Sequence, residues 1–205
     1  MSSEFVYINE VSPRDGLQNQ KTILGSEARL ELIRQLIEAN LPGIEAASFV
    51  SPKAVPAMAG AHEVLEGLVD PGKCEISVLV PNMKGYELAN AAGAKVISVV
   101  PSATETMNQK NINMGLSETI ETSCKIIETA KKENLKTRGY VAVAWECPFE
   151  GKVQESIVLD IANQMLSAGV DEIILADTIG AANPSSVSSL FNKCVSEFDH
   201  KILSA

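Results

Sequence analysis

The segment VYINEVSPRDGLQNQ, residues 6 to 20, places Arg14, Asp15 and Gln18 around Gly16. An aspartate carboxylate can bind a hard divalent cation, and a guanidinium can stabilise negative charge that develops on a carbonyl substrate. The same residues also form ordinary salt-bridged turns, in which the glycine supplies a permissive backbone. These few residues therefore leave a catalytic and a structural interpretation open.

Polar loops that could do chemistry recur after each predicted strand. They read PRDGLQ, EAASFVSPK, PNMKG, PSATETMNQKN, WECPFEGK and ADTIGAANP. A (β/α)8 barrel gathers such loops at the carboxyl ends of its strands, whereas an open doubly wound sheet concentrates its site at one switch point. No glycine-rich dinucleotide fingerprint follows the first strand, so the pattern favours the barrel.

Six strand-loop-helix units carry these loops. The predicted strands are Phe5–Val11, Gly43–Phe49, Cys74–Val80, Lys95–Val100, Thr137–Ala144 and Glu172–Ala176. The clearest predicted helices are Ser26–Ala39 with Ser26 as its cap, Ser117–Glu133, Val153–Ser167 and Pro184–Phe198 with Pro184 in the first turn. Strict alternation of strands and helices predicts an α/β fold with a parallel sheet.

Residues 201 to 205 resemble the opening of a seventh strand. A complete barrel needs eight strands and about 250 residues. We therefore expect a single partial (β/α)8 barrel domain over residues 1–205, with the seventh and eighth units in a longer native chain. Alone, this fragment is expected to be inactive.

Composition excludes several classes of protein. The chain has 205 residues, of which 45% are hydrophobic, and a net charge of -9. Such a charge argues against nucleic acid or an anionic membrane as the main partner, and no apolar run approaches the roughly 20 residues of a membrane span. The four widely spaced cysteines predict reduced thiols, and the default location is the cytoplasm.

Longer motifs carry a family resemblance. The segments VSPRDGLQNQ, IEAASFVSPKAVPAMAGAHEVL, KNIN, RGYVAVAWECPFEGKV and ADTIGAANP, in this order, resemble the 3-hydroxy-3-methylglutaryl-CoA lyase family. That family lies within the metal-dependent lyase and Claisen-condensing superfamily. The resemblance implies a barrel enzyme that uses Mg²⁺ or Mn²⁺ to cleave a hydroxyacyl-CoA into acetyl-CoA and acetoacetate, a reaction of leucine degradation and ketone body metabolism.

The resemblance also implies roles for residues of the first loop. Asp15 matches the family's metal-binding aspartate, and Arg14 matches the arginine that stabilises the enolate of the departing acetyl-CoA. Gln18 matches a glutamine near that site.

Three further residues match family positions on later strands. Glu45 and Asp177 match acidic residues that support the site and proton transfer, and Ser48 matches a serine on the substrate side. The alternative interpretations are an ion-paired strand carboxylate for Glu45 and a helix cap for Asp177. In the catalytic interpretation, the carboxylates of Asp15, Glu45 and Asp177 converge on one cavity with Arg14.

Four residues on the same set of loops are candidates for binding the CoA phosphates. These are Lys53, Lys110, Asn111 and Lys152. Solvated surface lysines are the alternative, because no phosphate cradle is evident in the sequence.

Departures from the family pattern lie in the sixth predicted strand and in the loop WECPFEGK. Ile174 and Ala176 stand where the family commonly has serine and glycine, and Glu146 stands where it commonly has glycine. These changes put the identity of the acyl group in doubt, because a lost hydroxyl leaves any hydrogen-bonding substrate group unpaired.

The family completes its metal site with a His-x-His pair on strand seven and a later asparagine, and it supplies a catalytic cysteine on a glycine-rich loop before strand eight. Neither His62 nor His200 matches that pair, and both are predicted to be surface or capping residues. Cys147 is predicted to be a structural thiol.

The sequence thus predicts a lyase that acts on 3-hydroxy-3-methylglutaryl-CoA with a divalent cation. A related acyl-CoA lyase, a Claisen-condensing synthase, a 2-oxoacid aldolase and a non-catalytic barrel are the alternatives. The expected partner is the acyl-CoA substrate, with no nucleic acid or membrane, and barrel relatives commonly form homo-oligomers.

Overall fold

The computed structural model describes residues 6–205. The chain divides into two compact units, Met1–Ile97 and Ser98–Ala205. Strands and helices alternate along both units, with one strand, Val96–Val99, at the boundary. The fold is therefore α/β, with the element order of an incomplete (β/α)8 barrel, as the sequence predicts.

In the first unit, three strands alternate with three α-helices. The elements are β1 (Asn9–Glu10), a π-helix (Ser12–Gly16), α1 (Ser26–Glu38), β2 (Gly43–Ser48), a 3-10 turn (Pro56–Met58), α2 (Ala61–Glu66), β3 (Glu75–Leu79) and α3 (Met83–Ala91), followed by β4 (Val96–Val99). Strand β1 pairs with β2, and β2 pairs with β3, both in parallel.

The core of the first unit lies between α1 and β2. Ile33 on the inner face of α1 packs with Ile44 and Ala46 of β2, and Val64 of α2 completes the contact. Every residue of β2 is buried, as is typical of parallel strands covered on both faces. A rigid, buried strand thus carries Glu45 and Ser48.

In the second unit, four α-helices surround parallel strands and one hairpin. The elements are α4 (Glu105–Ile112), α5 (Leu116–Lys132), β5 (Lys136–Val141), β6 (Glu146–Cys147), β7 (Gly151–Lys152), α6 (Glu155–Ser167), β8 (Glu172–Leu175), α7 (Pro184–Glu197), a 3-10 turn (His200–Ile202) and β9 (Leu203–Ser204). Strand β8 pairs in parallel with β5 and with β9, whereas β6 and β7 form an antiparallel hairpin. The pairing of β9 confirms a further strand within residues 201 to 205, of which Lys201 and Ile202 lie in the 3-10 turn.

All six predicted strands are present, with shorter bounds. The first begins at Asn9 because only two residues pair before the π-helix, and predicted residue Phe5 lies outside the described part of the chain. The strand predicted to end at Ala144 ends at Val141, because Val143 turns the backbone with a positive φ of 51°.

The predicted helices form, but the predicted cap of the first one is wrong. Ser26 is the first residue of α1, and the cap is Gly25, which has no side chain to offer. Helices α2 and α3 belong to the second and third predicted units, for which no bounds were predicted. Helix α4 lies in the predicted loop PSATETMNQKN, and neither α4 nor the β6–β7 hairpin was among the predicted elements. Within residues 6–205, no helix combines the length and apolar character needed to cross a membrane.

Candidate functional site

Arg14 lies in the π-helix that directly follows β1. Pro13 is the second residue of this helix and is buried, and the amides of Arg14 and Asp15 both donate to the carbonyl of Val11, at 3.1 and 2.7 Å. The two neighbouring side chains differ in exposure. Only 12% of the Arg14 side chain is exposed, compared with 56% of the Asp15 side chain.

The Arg14 guanidinium bridges two carboxylates of the first unit. Its Nε donates to Glu45 Oε1 at 2.5 Å, and its Nη1 donates to Asp15 Oδ1 at 2.8 Å. Glu45 is completely buried in β2. Because a buried carboxylate needs a charged partner, Glu45 fixes the orientation of Arg14. The structure thus shows Glu45 as an ion-paired strand carboxylate that contacts the predicted catalytic arginine.

Three other predicted site residues of the first unit, Ser48, Gln18 and Lys53, differ from one another in burial. Ser48 ends β2 and is completely buried, and within residues 6–205 its Oγ has no hydrogen-bond partner. Gln18 is half-buried in the helical turn after the π-helix, and Lys53 is exposed in the turn after β2. Ser48 is therefore a buried hydroxyl with hydrogen-bonding capacity to spare.

Asp177 organises the loop that follows β8 in the second unit. Its Oδ1 accepts from the amide of Ala181 and its Oδ2 from the amide of Ala182, both at 3.0 Å. It does not cap the next helix, because Asn183 forms the capping box of α7 with Ser186. The alternative interpretation of Asp177 as a helix cap is therefore wrong.

Thr178, the neighbour of Asp177, and Val143, which is bonded to Thr178, were not among the predicted site residues. Val143, just beyond β5, is completely buried and has a φ of 51°. A β-branched residue in this region is a true backbone outlier. Its amide donates to Thr178 Oγ1 at 2.8 Å, so the strained residue is bonded to the neighbour of Asp177. No pattern in the sequence marks a valine for a left-handed conformation.

The predicted phosphate-binding residues of the second unit lie on α4 and the β6–β7 hairpin. Lys110 and Asn111 are exposed near the end of α4, and the Lys110 ammonium lies 4.8 Å from the ring centre of Phe149. Lys152 is exposed on β7, opposite Glu146 in the hairpin register. The hairpin therefore places the glutamate that departs from the family pattern across from a predicted phosphate ligand.

The hairpin is attached to the amino end of α4. A carboxylate oxygen of Glu150 accepts from the amide of Thr106 at 2.6 Å, and this hydrogen bond holds the pKa of Glu150 below its ordinary value. The Thr104 hydroxyl donates to the sulfur of buried Cys147 at 3.1 Å. The packing of Cys147 agrees with its prediction as a structural thiol.

The two histidines lie on the surface. His62 on α2 is 3.2 Å from Glu66, and His200 is 3.4 Å from Asp199. Among residues 6–205, no group of three or more histidine, cysteine, aspartate or glutamate side chains could hold a metal ion. Asp15 offers one exposed carboxylate of the right chemistry for Mg²⁺ or Mn²⁺, which fits one ligand position.

The predicted constellation is distributed over both units. Arg14, Asp15 and Glu45 are in contact within the first unit, and Asp177 belongs to the second. The convergence of Asp177 with the other two acids stays a prediction.

Curated proteins similar to the chain include two lyases. The chain is 43% identical over 192 residues to the mitochondrial hydroxymethylglutaryl-CoA lyase of Rattus norvegicus, covering 94% of the chain and 59% of that protein. It is 40% identical over 193 residues to the cytoplasmic 3-hydroxy-3-methylglutaryl-CoA lyase of Danio rerio, covering 94% and 58%. The chain thus spans less than two thirds of the length of these relatives.

Solved structures show the same similarity. The HMG-CoA lyase of Bacillus subtilis matches with a TM-score of 0.93 and 37% identity, covering 97% of the chain and 66% of that structure. An HMG-CoA lyase from Acinetobacter baumannii, in complex with coenzyme A and 3-methylmalate, matches with a TM-score of 0.90 and 35% identity, covering 96% and 64%. These matches confirm the predicted fold, an incomplete (β/α)8 barrel.

A family model agrees with both sets of similarities. The model described as HMGL-like matches residues 5–204, which is nearly the whole chain. The chain belongs to the HMGL-like family.

Proposed function

We propose that the protein cleaves 3-hydroxy-3-methylglutaryl-CoA to acetyl-CoA and acetoacetate. The observation that carries this proposal is the contact of Arg14 with buried Glu45 and exposed Asp15. An oriented cation beside an accessible carboxylate suits a reaction that develops negative charge on a thioester. Family membership and the names of the relatives support the same chemistry.

In the reaction, the proton of the substrate's tertiary hydroxyl is removed and the bond between its second and third carbons breaks. The electron pair of that bond passes to the thioester as an enolate, which is then protonated. Arg14 faces the enolate oxygen, and its guanidinium offsets the developing charge. Glu45 keeps the guanidinium oriented, so that little reorganisation is required as the charge forms.

Asp177 is the residue assigned to proton transfer. Its two oxygens accept hydrogen bonds from the amides of Ala181 and Ala182, which fix the carboxylate within its loop. A fixed carboxylate can exchange a proton in a defined direction. Ser48, with a buried hydroxyl that has spare hydrogen-bonding capacity, is assigned to the substrate side.

Asp15 is the residue of this chain that would hold the divalent cation. When bound, Mg²⁺ or Mn²⁺ supplies Lewis-acid polarisation of the substrate's oxygens and orients them. The exposed carboxylate of Asp15 is suited to this role, and substrate and water oxygens would supply further ligands. Gln18, in the next helical turn, lies close in sequence to this position.

The CoA part of the substrate would contact the exposed cationic residues. Lys53 lies in the first unit, and Lys110, Asn111 and Lys152 lie in the second. The ammonium groups act as point charges toward phosphate. The coenzyme A complex of the A. baumannii relative supports a site of this class. A homo-oligomeric state and a cytoplasmic location stay predictions, and the relatives' names include both mitochondrial and cytoplasmic proteins.

The test is a direct assay of the protein expressed from its own gene. Acetyl-CoA and acetoacetate should form in equal amounts from 3-hydroxy-3-methylglutaryl-CoA when Mg²⁺ or Mn²⁺ is supplied. An Arg14→Gln variant, which lacks the guanidinium charge, is the matched control. It should lose most of the turnover. Turnover of a 2-oxoacid without cleavage of the thioester substrate would contradict the proposal.

A further inference from the structure

We infer that Thr178 is a positioning residue, which holds the strained Val143 peptide and thereby sets the place of the Asp177 carboxylate. This inference rests on the proposed function, because it concerns the residue assigned there to proton transfer. It involves only residues of the second unit.

The starting observation is a strained backbone conformation at a buried valine. Val143 has a φ of 51° and its side chain is completely buried. For a β-branched residue this conformation is costly, and it persists only when surrounding contacts over-determine it. Asn40, Asn113 and Asn134 also have positive φ, but asparagine adopts it readily. Val143 therefore requires contacts that hold it.

Those contacts come from the segment that carries Asp177. The Val143 amide donates to Thr178 Oγ1 at 2.8 Å, and the next amide, of Ala144, donates to the carbonyl of Ala176 at 3.1 Å. In return, the amide of Ala176 donates to the carbonyl of Val141 at 3.1 Å. Residues on both sides of Asp177 are thus bonded to the strained turn.

The Thr178 hydroxyl accepts a hydrogen bond from a Val143 amide that has no place in the strand ladder. The turn at Val143 takes its amide out of the regular ladder between β5 and β8, which ends at Val141 and Leu175. A buried amide without a partner is costly, and a hydroxyl oxygen from the opposite loop satisfies it. Since Thr178 is covalently joined to Asp177, the same hydrogen bond fixes the start of the Asp177 loop.

Two substitutions separate this role from general stability. Thr178→Val keeps the shape and loses the hydroxyl, whereas Thr178→Ser keeps the hydroxyl. Thr137→Val is the matched control, because the Thr137 hydroxyl accepts from the amide of Asp171 at 3.3 Å at the other end of the same strand pair. All three variants should be compared well below their unfolding temperatures.

The expected result is a loss of turnover confined to one variant. Thr178→Val should lower kcat about 10-fold or more with KM changed by less than about 3-fold, because a misplaced catalytic group affects the transition state more than binding. Thr178→Ser and Thr137→Val should stay within about 3-fold of the original protein. A rise in KM with unchanged kcat would overturn the inference, since it would mean that Thr178 contacts substrate.

A second readout does not depend on activity. The amide NMR signals of Ala181 and Ala182 report on the Asp177 carboxylate that they contact. They should move in Thr178→Val and remain in place in Thr137→Val. Unmoved signals in Thr178→Val would overturn the inference. If the original protein does not cleave the thioester, the proposed function fails, and these signals alone decide whether Thr178 positions Asp177.

Discussion

The Nε of Arg14 lies 2.5 Å from Oε1 of Glu45, which is completely buried in β2. This pair joins the π-helix after the first strand to the second strand, and it fixes the direction of the guanidinium. Glu45→Gln keeps the shape and removes the charge, so the Arg14 side chain should lose its fixed orientation. We expect kcat to fall on the order of 100-fold, as for other small displacements of catalytic groups.

The same variant should also be less stable. Removing one charge of a largely buried, hydrogen-bonded pair leaves the other poorly compensated, and a loss of about 1–3 kcal/mol in the free energy of unfolding is expected. Urea unfolding measures this quantity. Glu31→Gln, an exposed substitution on α1, is the control and should change neither value. A Glu45→Gln protein with full activity would show that Arg14 needs no orienting carboxylate.

Asp15→Asn should weaken the response to divalent cation. An amide is a poorer ligand than a carboxylate for Mg²⁺ or Mn²⁺, so the cation concentration for half-maximal activity should rise at least on the order of 10-fold. Titration with Mn²⁺ measures it, with the exposed Asp160→Asn of α6 as the control. Unchanged metal dependence and rate would exclude Asp15 as the ligand.

Asn183→Ala should destabilise α7. The Asn183 side chain accepts from the amide of Ser186, and the Ser186 carbonyl accepts from Trp145 Nε1 at 3.1 Å. Loss of the cap should cost about 1 kcal/mol, and Asn183→Asp should restore most of it. Fluorescence of Trp145, the single tryptophan, reports unfolding directly. Equal midpoints for the alanine and aspartate variants would contradict the capping role.

Asp171 should make stability depend on pH in the acidic range. Burial alone would raise the pKa of its carboxyl, but hydrogen bonds from Lys131 and Thr137 outweigh burial and leave the pKa below its ordinary value of 3.8. A lowered pKa in the folded state gives stability that is present above the unfolded value and is lost as pH falls through the folded value.

The difference in unfolding free energy between the original protein and Asp171→Asn should therefore be present at pH 7. It should shrink as pH falls below about 4. Urea unfolding at a series of pH values measures this difference. A difference that grows toward low pH would reverse the expected sign.

The loop chemistry and the element order were predictable from the sequence, because alternating hydrophobic runs and turn residues are local signals. Gly43–Ser48 and Glu172–Leu175 appear within one or two residues of their predicted bounds. The short helix α4 was not predicted, because its eight residues carry too little periodicity and lie in a segment that reads as a polar loop. The cap of α1 shifted from Ser26 to Gly25, since caps depend on backbone geometry more than on residue type.

By itself, the sequence determined the family, the parallel α/β fold and the identity of Arg14, Asp15, Glu45 and Asp177 as candidates. Only the tertiary structure decided that Glu45 is buried against Arg14 while Asp15 faces outward, because burial depends on how strands pack rather than on neighbouring residues. Only the tertiary structure likewise showed the positive φ of Val143 and the hydrogen bond from its amide to Thr178. A left-handed valine is unfavourable in any local context, so it forms only where contacts distant in sequence outweigh its strain.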